Sequence, residues 1–174
     1  VYFTAGFPEL NSTLKILKEL EDSGVDVVEI GIPFSDSLVD GPTIQDSNQI
    51  ALNNGMTLKL LLEQLADVRK TIQVPIVLMG GVNPLLSYGM EKFVKEISQI
   101  GIDATIIPDL PIREFKEQYE KLFADHNISN IFLVSQQTSS EKIQMIDGIS
   151  TSFIYAVSSY AITGNSLAES PEIN

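Results

Sequence analysis

The chain has 174 residues, 44% of them apolar and 20% charged, which suffices for the core of one domain. Eleven basic residues against 23 acidic ones give a formal charge of -12, so nucleic acid and anionic membranes are disfavoured partners. There is no Cys and a single His, His126. This excludes disulfide scaffolds, Cys-type zinc sites, iron–sulfur clusters and thiol catalysis, and it argues against a histidine metal centre or a Ser-His-Asp triad.

The first β-branched run covers residues 1–4. A helix is expected over 8–23, with Leu14, Ile16, Leu17 and Leu20 at helical spacing and Gly24 as its stop. The second strand is expected over 25–32, followed by a turn-rich stretch at 33–42 and a helix over 43–53. Thr57 can cap the next helix, whose apolar stripe is Leu58, Leu61, Leu62, Leu65 and Val68. The third strand is expected over 75–79, then a loop containing Gly80-Gly81 and Asn83-Pro84, then a helix over 90–100 that Gly101 ends. Strand four spans 104–108 and is followed by a helix over 112–125. Strand five spans 130–134 and is followed by a helix over 139–147. Strand six spans 153–157. Residues after about 165 read as loop or tail. The opening at Val1, inside an apolar run and without Met, reads as a segment of a longer protein. No apolar run reaches the ~20 residues of a membrane-spanning helix.

Six strands alternating with helices predict parallel α/β packing. The repeat of about 31 residues matches a (β/α)8 TIM barrel, of which residues 1–174 supply about six β/α units as one incomplete domain. An open doubly wound sheet is the alternative. The glycine-rich dinucleotide fingerprint that would favour it is absent.

The second strand carries the most information. In Val27-Val28-Glu29-Ile30-Gly31, alternation places Val28 and Ile30 on one face and Val27, Glu29 and Gly31 on the other. If Val28 and Ile30 face the helices, Glu29 points into the barrel near the C-terminal end of its strand, where barrel active sites gather. A carboxyl group there is a candidate general acid or base. A structural ion pair or an exposed edge position is the plain alternative. Asp36 and Asp40 follow in the next loop and can bring a second carboxylate near Glu29, or serve as turn and cap acids. Tyr155 shares a strand face with Phe153 and Val157; it can project into the mouth or be a core residue. Asp109, before Leu110-Pro111, offers either a loop-ordering hydrogen bond or simple turn chemistry. His126 reads as a helix-end residue, and Glu114, Glu117 and Glu120 as an outward helix face. No metal site is expected.

Several segments together resemble the tryptophan synthase alpha subunit family. They are Tyr2-Phe3-Thr4-Ala5-Gly6-Phe7-Pro8, Val28-Glu29-Ile30-Gly31-Ile32-Pro33-Phe34-Ser35-Asp36 and Asp40-Gly41-Pro42-Thr43-Ile44-Gln45. The ordered companions are Asn83-Pro84, Ile107-Pro108-Asp109-Leu110-Pro111, Phe153-Ile154-Tyr155 and Ile162-Thr163-Gly164. The resemblance implies a (β/α)8 barrel that cleaves indole-3-glycerol phosphate to indole and glyceraldehyde 3-phosphate, a carbon–carbon lyase of tryptophan biosynthesis in the cytoplasm. It implies a beta subunit as partner in an alpha2-beta2 complex, with pyridoxal phosphate only in that beta subunit and no cofactor or metal in this chain. By the same resemblance Glu29 is the proton-transferring carboxylate and Asp40 the second catalytic acid, facing the indole N–H. Tyr2, Ile44 and Ile106 wall the indole pocket, Tyr155 is an active-site tyrosine, Thr163 belongs to the closing loop and Gly164 to the phosphate site. The family usually has Pro at Ser37, Ala at Val39, Tyr at Gly81, Gly at Ala104 and Pro at Gln136. These departures motivate the alternative of a non-catalytic alpha-like subunit that activates a beta subunit.

Overall fold

A computed structural model describes residues 1–35 and 40–157. The strands are β1 (Tyr2–Thr4), β2 (Val28–Gly31), β3 (Ile76–Met79), β4 (Ala104–Ile106), β5 (Ser129–Ile131), β6 (Leu133–Ser135) and β7 (Tyr155–Val157). The helices are α1 (Thr13–Asp22), α2 (Pro42–Asn53), α3 (Leu58–Leu65), α4 (Val82–Tyr88), α5 (Met90–Ile100), α6 (Ile112–Glu114), α7 (Glu120–Asp125) and α8 (Ser140–Ile149). All pairings are parallel. The first sheet runs β1-β2-β3-β4-β5 and the second pairs β6 with β7.

Strand order equal to chain order is decisive between the two candidate architectures. A doubly wound sheet reverses direction at a switch point and places an early strand in its middle. Here each strand from β2 to β5 adds on the same side as the last, as in a barrel wall. The fifth expected strand is real but interrupted at Phe132, whose carbonyl accepts the Tyr155 N–H at 2.9 Å. Its first half pairs back to β4 and its second half forward to β7, so six strand positions appear as seven segments.

The two faces separate as alternation requires. Val28, Ile30, Ile76 and Leu78 are buried against the helices, where Leu17, Leu61, Leu65, Phe93 and Ile97 pack. Helix α5 shows why the sequence folds so locally: Met90, Phe93, Val94 and Ile97 are its buried residues, at spacings of three and four. Each such side chain contributes about 1.5–3 kcal/mol by leaving water. The opposite sheet face forms a second, smaller cluster of Val77, Ala104, Ile106 and Ile131, joined by Val27, Met79 and Leu133. This is the barrel interior, and it is the face on which Glu29 lies.

Three expectations need correction. Residues 80–88 are not all loop: α4 occupies Val82–Tyr88. Pro84 is its third residue, in the first turn, where a missing N–H breaks no helical bond. The first helix begins at Thr13 rather than near residue 8, and the Thr13 hydroxyl accepts the Gly6 N–H at 3.1 Å. The stretch 112–125 is not one regular helix. A π-helical turn at Phe115–Tyr119 separates α6 from α7, so the acidic residues do not share one outward face: Glu117 is exposed, whereas Glu114 and Glu120 are half-buried. Phe115 fits this turn because its ring meets Phe123 and Phe132 edge-to-face, with centroids 5.2 and 5.1 Å away.

Candidate functional site

Register builds the site. Tyr2, Glu29 and Val77 are lateral neighbours on β1, β2 and β3, so their side chains share the interior face. One step on, Thr4, Gly31, Met79, Ile106 and Ile131 form the next row toward the C-terminal ends. Glu29 is therefore aimed as the alternation predicts, and it is half-buried. No hydrogen bond or ion pair holds its carboxylate among the described residues, which sets aside the structural ion pair. Burial pushes its pKa above the ordinary carboxylate value, because the charged form is less well solvated.

Asp40 stands at the end of the loop that follows β2, just before Pro42 opens α2. It too is half-buried, and burial raises its pKa. Tyr2 links the two acids. Burial raises the pKa of its phenol most, and the charges of Asp40 and Glu29 raise it further, so both carboxylates lie within electrostatic reach of this hydroxyl. The ring lies across Gly31: a Cβ there would come 2.1 Å from the Tyr2 oxygen and 2.6 Å from the ring carbon that bears it. Only glycine at position 31 leaves Tyr2 in this place.

The Tyr2 oxygen is 3.4 Å from Thr4 Oγ1, which is 2.7 Å from Ser47 Oγ on α2. Ser47 in turn donates to the Ile44 carbonyl at 2.9 Å. Ile44, half-buried on the first turn of α2, is thereby tied to β1. Ile106 is fully enclosed in the interior cluster, so any ligand it walls must reach down to the β4 row. Tyr155 projects on the interior face, since its register partner Leu133 packs with that cluster, and 39% of its surface is exposed.

Asp109 resolves in favour of loop ordering. Its Oδ1 accepts the Val82 N–H at 2.8 Å, joining the loop after β4 to the start of α4. Between them, a Cβ on Gly81 would meet Phe34 Cδ1 at 3.3 Å and Asp109 Oδ2 at 3.5 Å, so Phe34 fills the space beside Gly81. His126 is a helix-end residue as expected: its Nδ1 donates to the Leu122 carbonyl at 2.9 Å, at the end of α7. Asp36, Ser37 and Val39, and the expected ligand residues Thr163 and Gly164, lie outside the described residues, as does the tail after about 165. Among the described residues no group of three or more His, Cys, Asp or Glu side chains is placed to hold a metal ion. Sequence reasoning missed Thr4 and Ser47, which are 43 residues apart and carry no local signal of pairing. It also missed the role of Gly31, although alternation had put that glycine on the face of Glu29.

A family model described as the tryptophan synthase alpha chain matches residues 1–174. The tryptophan synthase alpha chain of Flavobacterium psychrophilum is 54% identical over 166 residues, covering 95% of this chain and 66% of that protein. That of Christiangramia forsetii is 52% identical over 165 residues, covering 95% and 64%. Among solved structures, tryptophan synthase subunit alpha from Legionella pneumophila superposes with a TM-score of 0.86 at 35% identity, covering 90% of this chain and 60% of that one. A chain of the tryptophan synthase complex from Pyrococcus furiosus gives 0.83 at 35% identity, covering 89% and 63%. The chain thus spans just under two thirds of the length of the curated relatives it matches. The parallel β/α series is accordingly part of a TIM barrel.

Proposed function

The chain belongs to the tryptophan synthase alpha chain family, and from that premise we propose that the protein containing it cleaves indole-3-glycerol phosphate to indole and glyceraldehyde 3-phosphate. The observation that carries the reading is the Glu29 carboxyl, without a hydrogen bond or ion pair among the described residues, on the interior face beside Tyr2, whose hydroxyl the charge of Asp40 also reaches.

The chemistry is a retro-aldol cleavage. A proton adds to indole C3, which turns the ring into an electron sink. The bond from C3 to the glycerol chain then breaks, its electron pair passes into the ring, and the adjacent chain hydroxyl loses its proton as its carbonyl forms. One proton enters and one leaves, so a single carboxyl group can serve both transfers. Glu29 is that group. Its raised pKa brings its protonated and ionised forms closer in population near neutral pH. Asp40, when ionised, stabilises the positive charge that develops at the indole nitrogen on C3 protonation. Tyr2, Ile44 and Ile106 supply the apolar wall and Tyr155 flanks the mouth, while Thr163 and Gly164, outside the described residues, keep the substrate-loop and phosphate roles that the family resemblance gives them. The partner is a beta subunit, in an alpha2-beta2 assembly that holds pyridoxal phosphate on the beta side. One solved relative is a chain of a tryptophan synthase complex, which supports that partnership. No helix among the described residues is long and apolar enough to cross a membrane, and cytoplasmic residence follows from the proposed biosynthetic role.

The test is indole release by the protein as it is naturally made. Glu29→Gln keeps the shape and removes the proton carrier, so turnover is expected to fall by at least about a hundredfold. Near-normal cleavage by that variant rejects the role of Glu29. Undetectable cleavage by the unaltered protein, with stimulation of a beta subunit intact, favours the non-catalytic alternative.

A further inference from the structure

On the helix-facing side of the sheet, away from the barrel interior, β5 carries a polar side chain among apolar ones. Asn130 is 4% exposed, and alternation with Ile131 turns it toward the helices. Its Oδ1 accepts the Thr105 hydroxyl at 2.9 Å. Thr105 is wholly buried, and its hydroxyl has no other partner among the described residues. Turning the amide over would strand that proton, so the amide oxygen belongs on the Thr105 side. The amide N–H groups then point away from β4, and they have no acceptor among the described residues. They are not walled in by protein, as the partnerless oxygens of Asn48 and Gln64 are. They border a cavity of about 350 Å³ between α7 and the end of α8. Phe115, Phe123, Ile128 and Ile149, all buried, supply its apolar surface. The π-helical turn that begins at Phe115 lies along it, and such turns are found frequently at functional sites. Among the described residues Glu120 is the one charged group in the lining, and no Lys or Arg joins it.

We propose that this cavity is a second small-molecule site, which takes a neutral ligand of one or two rings that presents a carbonyl or hydroxyl oxygen to Asn130. The size fits, since an apolar cavity of about 150 Å³ already holds benzene. The polarity fits, since a buried amide donor without an acceptor costs free energy that such an oxygen recovers. The charge decides against anions: a carboxylate or phosphate would leave water to meet Glu120 with no cation to offset either charge. That excludes the phosphorylated substrate and product of the proposed reaction. Indole offers only a donor and leaves the Asn130 N–H groups unmet. The site is thus distinct in place and in ligand from the cleft of Glu29, and it stands apart from the reading of that cleft.

The test uses the naturally made protein with its isoleucine methyl groups isotopically labelled for nuclear magnetic resonance. Ile128 and Ile149 report on this cavity, and Ile44 and Ile106 on the cleft. The probes are acetophenone, α-methylstyrene, which has the same shape with a methylene group in place of the carbonyl oxygen, and benzoate. Acetophenone is expected to shift the Ile128 and Ile149 signals saturably, and benzoate to bind there at least about tenfold more weakly. A double variant, Thr105→Val with Asn130→Leu, removes the amide donor and the threonine proton together, so that neither is left stranded. In it the preference for acetophenone over α-methylstyrene is expected to fall by roughly five- to tenfold. A second variant, Ile149→Phe, fills the cavity and leaves the polar pair in place; both neutral probes are expected to weaken together at Ile128. An unchanged preference in the double variant overturns the inference, as does unweakened binding in Ile149→Phe. Equal binding of benzoate overturns it too. So do shifts confined to Ile44 and Ile106, or no shift at Ile128 and Ile149, and neither of these results bears on whether Glu29 transfers protons.

Discussion

At the scale of single residues, the site stores instability. A carboxyl group whose folded-state pKa is raised contributes most to stability below its unfolded pKa, about 4.3 for Glu. That contribution is lost as pH rises through the folded value. Burial raises the pKa of both Glu29 and Asp40, so each ionised carboxylate works against the fold at neutral pH. Glu29→Gln is therefore expected to melt a few degrees higher than the unaltered protein at pH 7–8, with the gain vanishing below about pH 4. Thermal melts across pH check this, and a lower melting temperature for the variant at neutral pH would contradict it. Glu29 was legible from alternation because an acid between valine and isoleucine on a strand has few explanations. The Tyr2 contacts were not legible, because they depend on a ring crossing to the neighbouring strand and on a hydroxyl pair contributed by β1 and α2.

At the scale of elements, polar side chains pin strand entries that are too short to hold themselves. The Glu21 carboxylate at the end of α1 accepts the N–H groups of Gln73 and Val74, just before β3. These backbone bonds lower its pKa, and Lys18 adds to the effect. The sign is opposite to that of Glu29. This stability is present above the unfolded value of about 4.3 and is lost as pH falls through the folded one. Glu21→Gln should therefore lower the melting temperature at pH 7, with the difference from the unaltered protein disappearing in acid. Arg69 fastens the next junction: it donates to the carbonyls of Gly101 and Val74 at 2.8 and 2.7 Å and pairs with Asp103, which accepts the Ile76 N–H at 2.8 Å. Within the sheet, Thr105 donates to Asn130 Oδ1 at 2.9 Å, both side chains being buried. Thr105→Val leaves that amide oxygen unpaired and is expected to cost about 1–3 kcal/mol in denaturant unfolding. Periodicity located most of these elements, since strands and helices advertise their buried faces at spacings of two and three to four. It failed at α4, where Asn83-Pro84 looks like a turn until the proline falls in a first helical turn. It failed again at the π turn, where aromatic packing overrides regular spacing.

At the scale of the whole molecule, the described strands leave β1 and β7 with one neighbour each, and the interior cluster faces a wall that these residues do not close. Unpaired strand edges and uncovered apolar faces promote association. Residues 1–174 expressed alone are therefore expected to bind a hydrophobic dye and to run as mixed assemblies on size exclusion. A sharp, dye-free monomer would show that the edges are protected. The barrel architecture was readable from alternation and repeat length, but the choice against a doubly wound sheet needed the strand order, which no single-strand pattern encodes. That order bears on biosynthesis. Because β2, β3, β4, β5 and β7 each hydrogen-bond to the strand translated just before them, a nascent chain can consolidate unit by unit as it leaves the ribosome. The two acids and the tyrosine all lie between residues 2 and 40, so the groups proposed for one flank of the cleft leave the ribosome before β3 to β7 do.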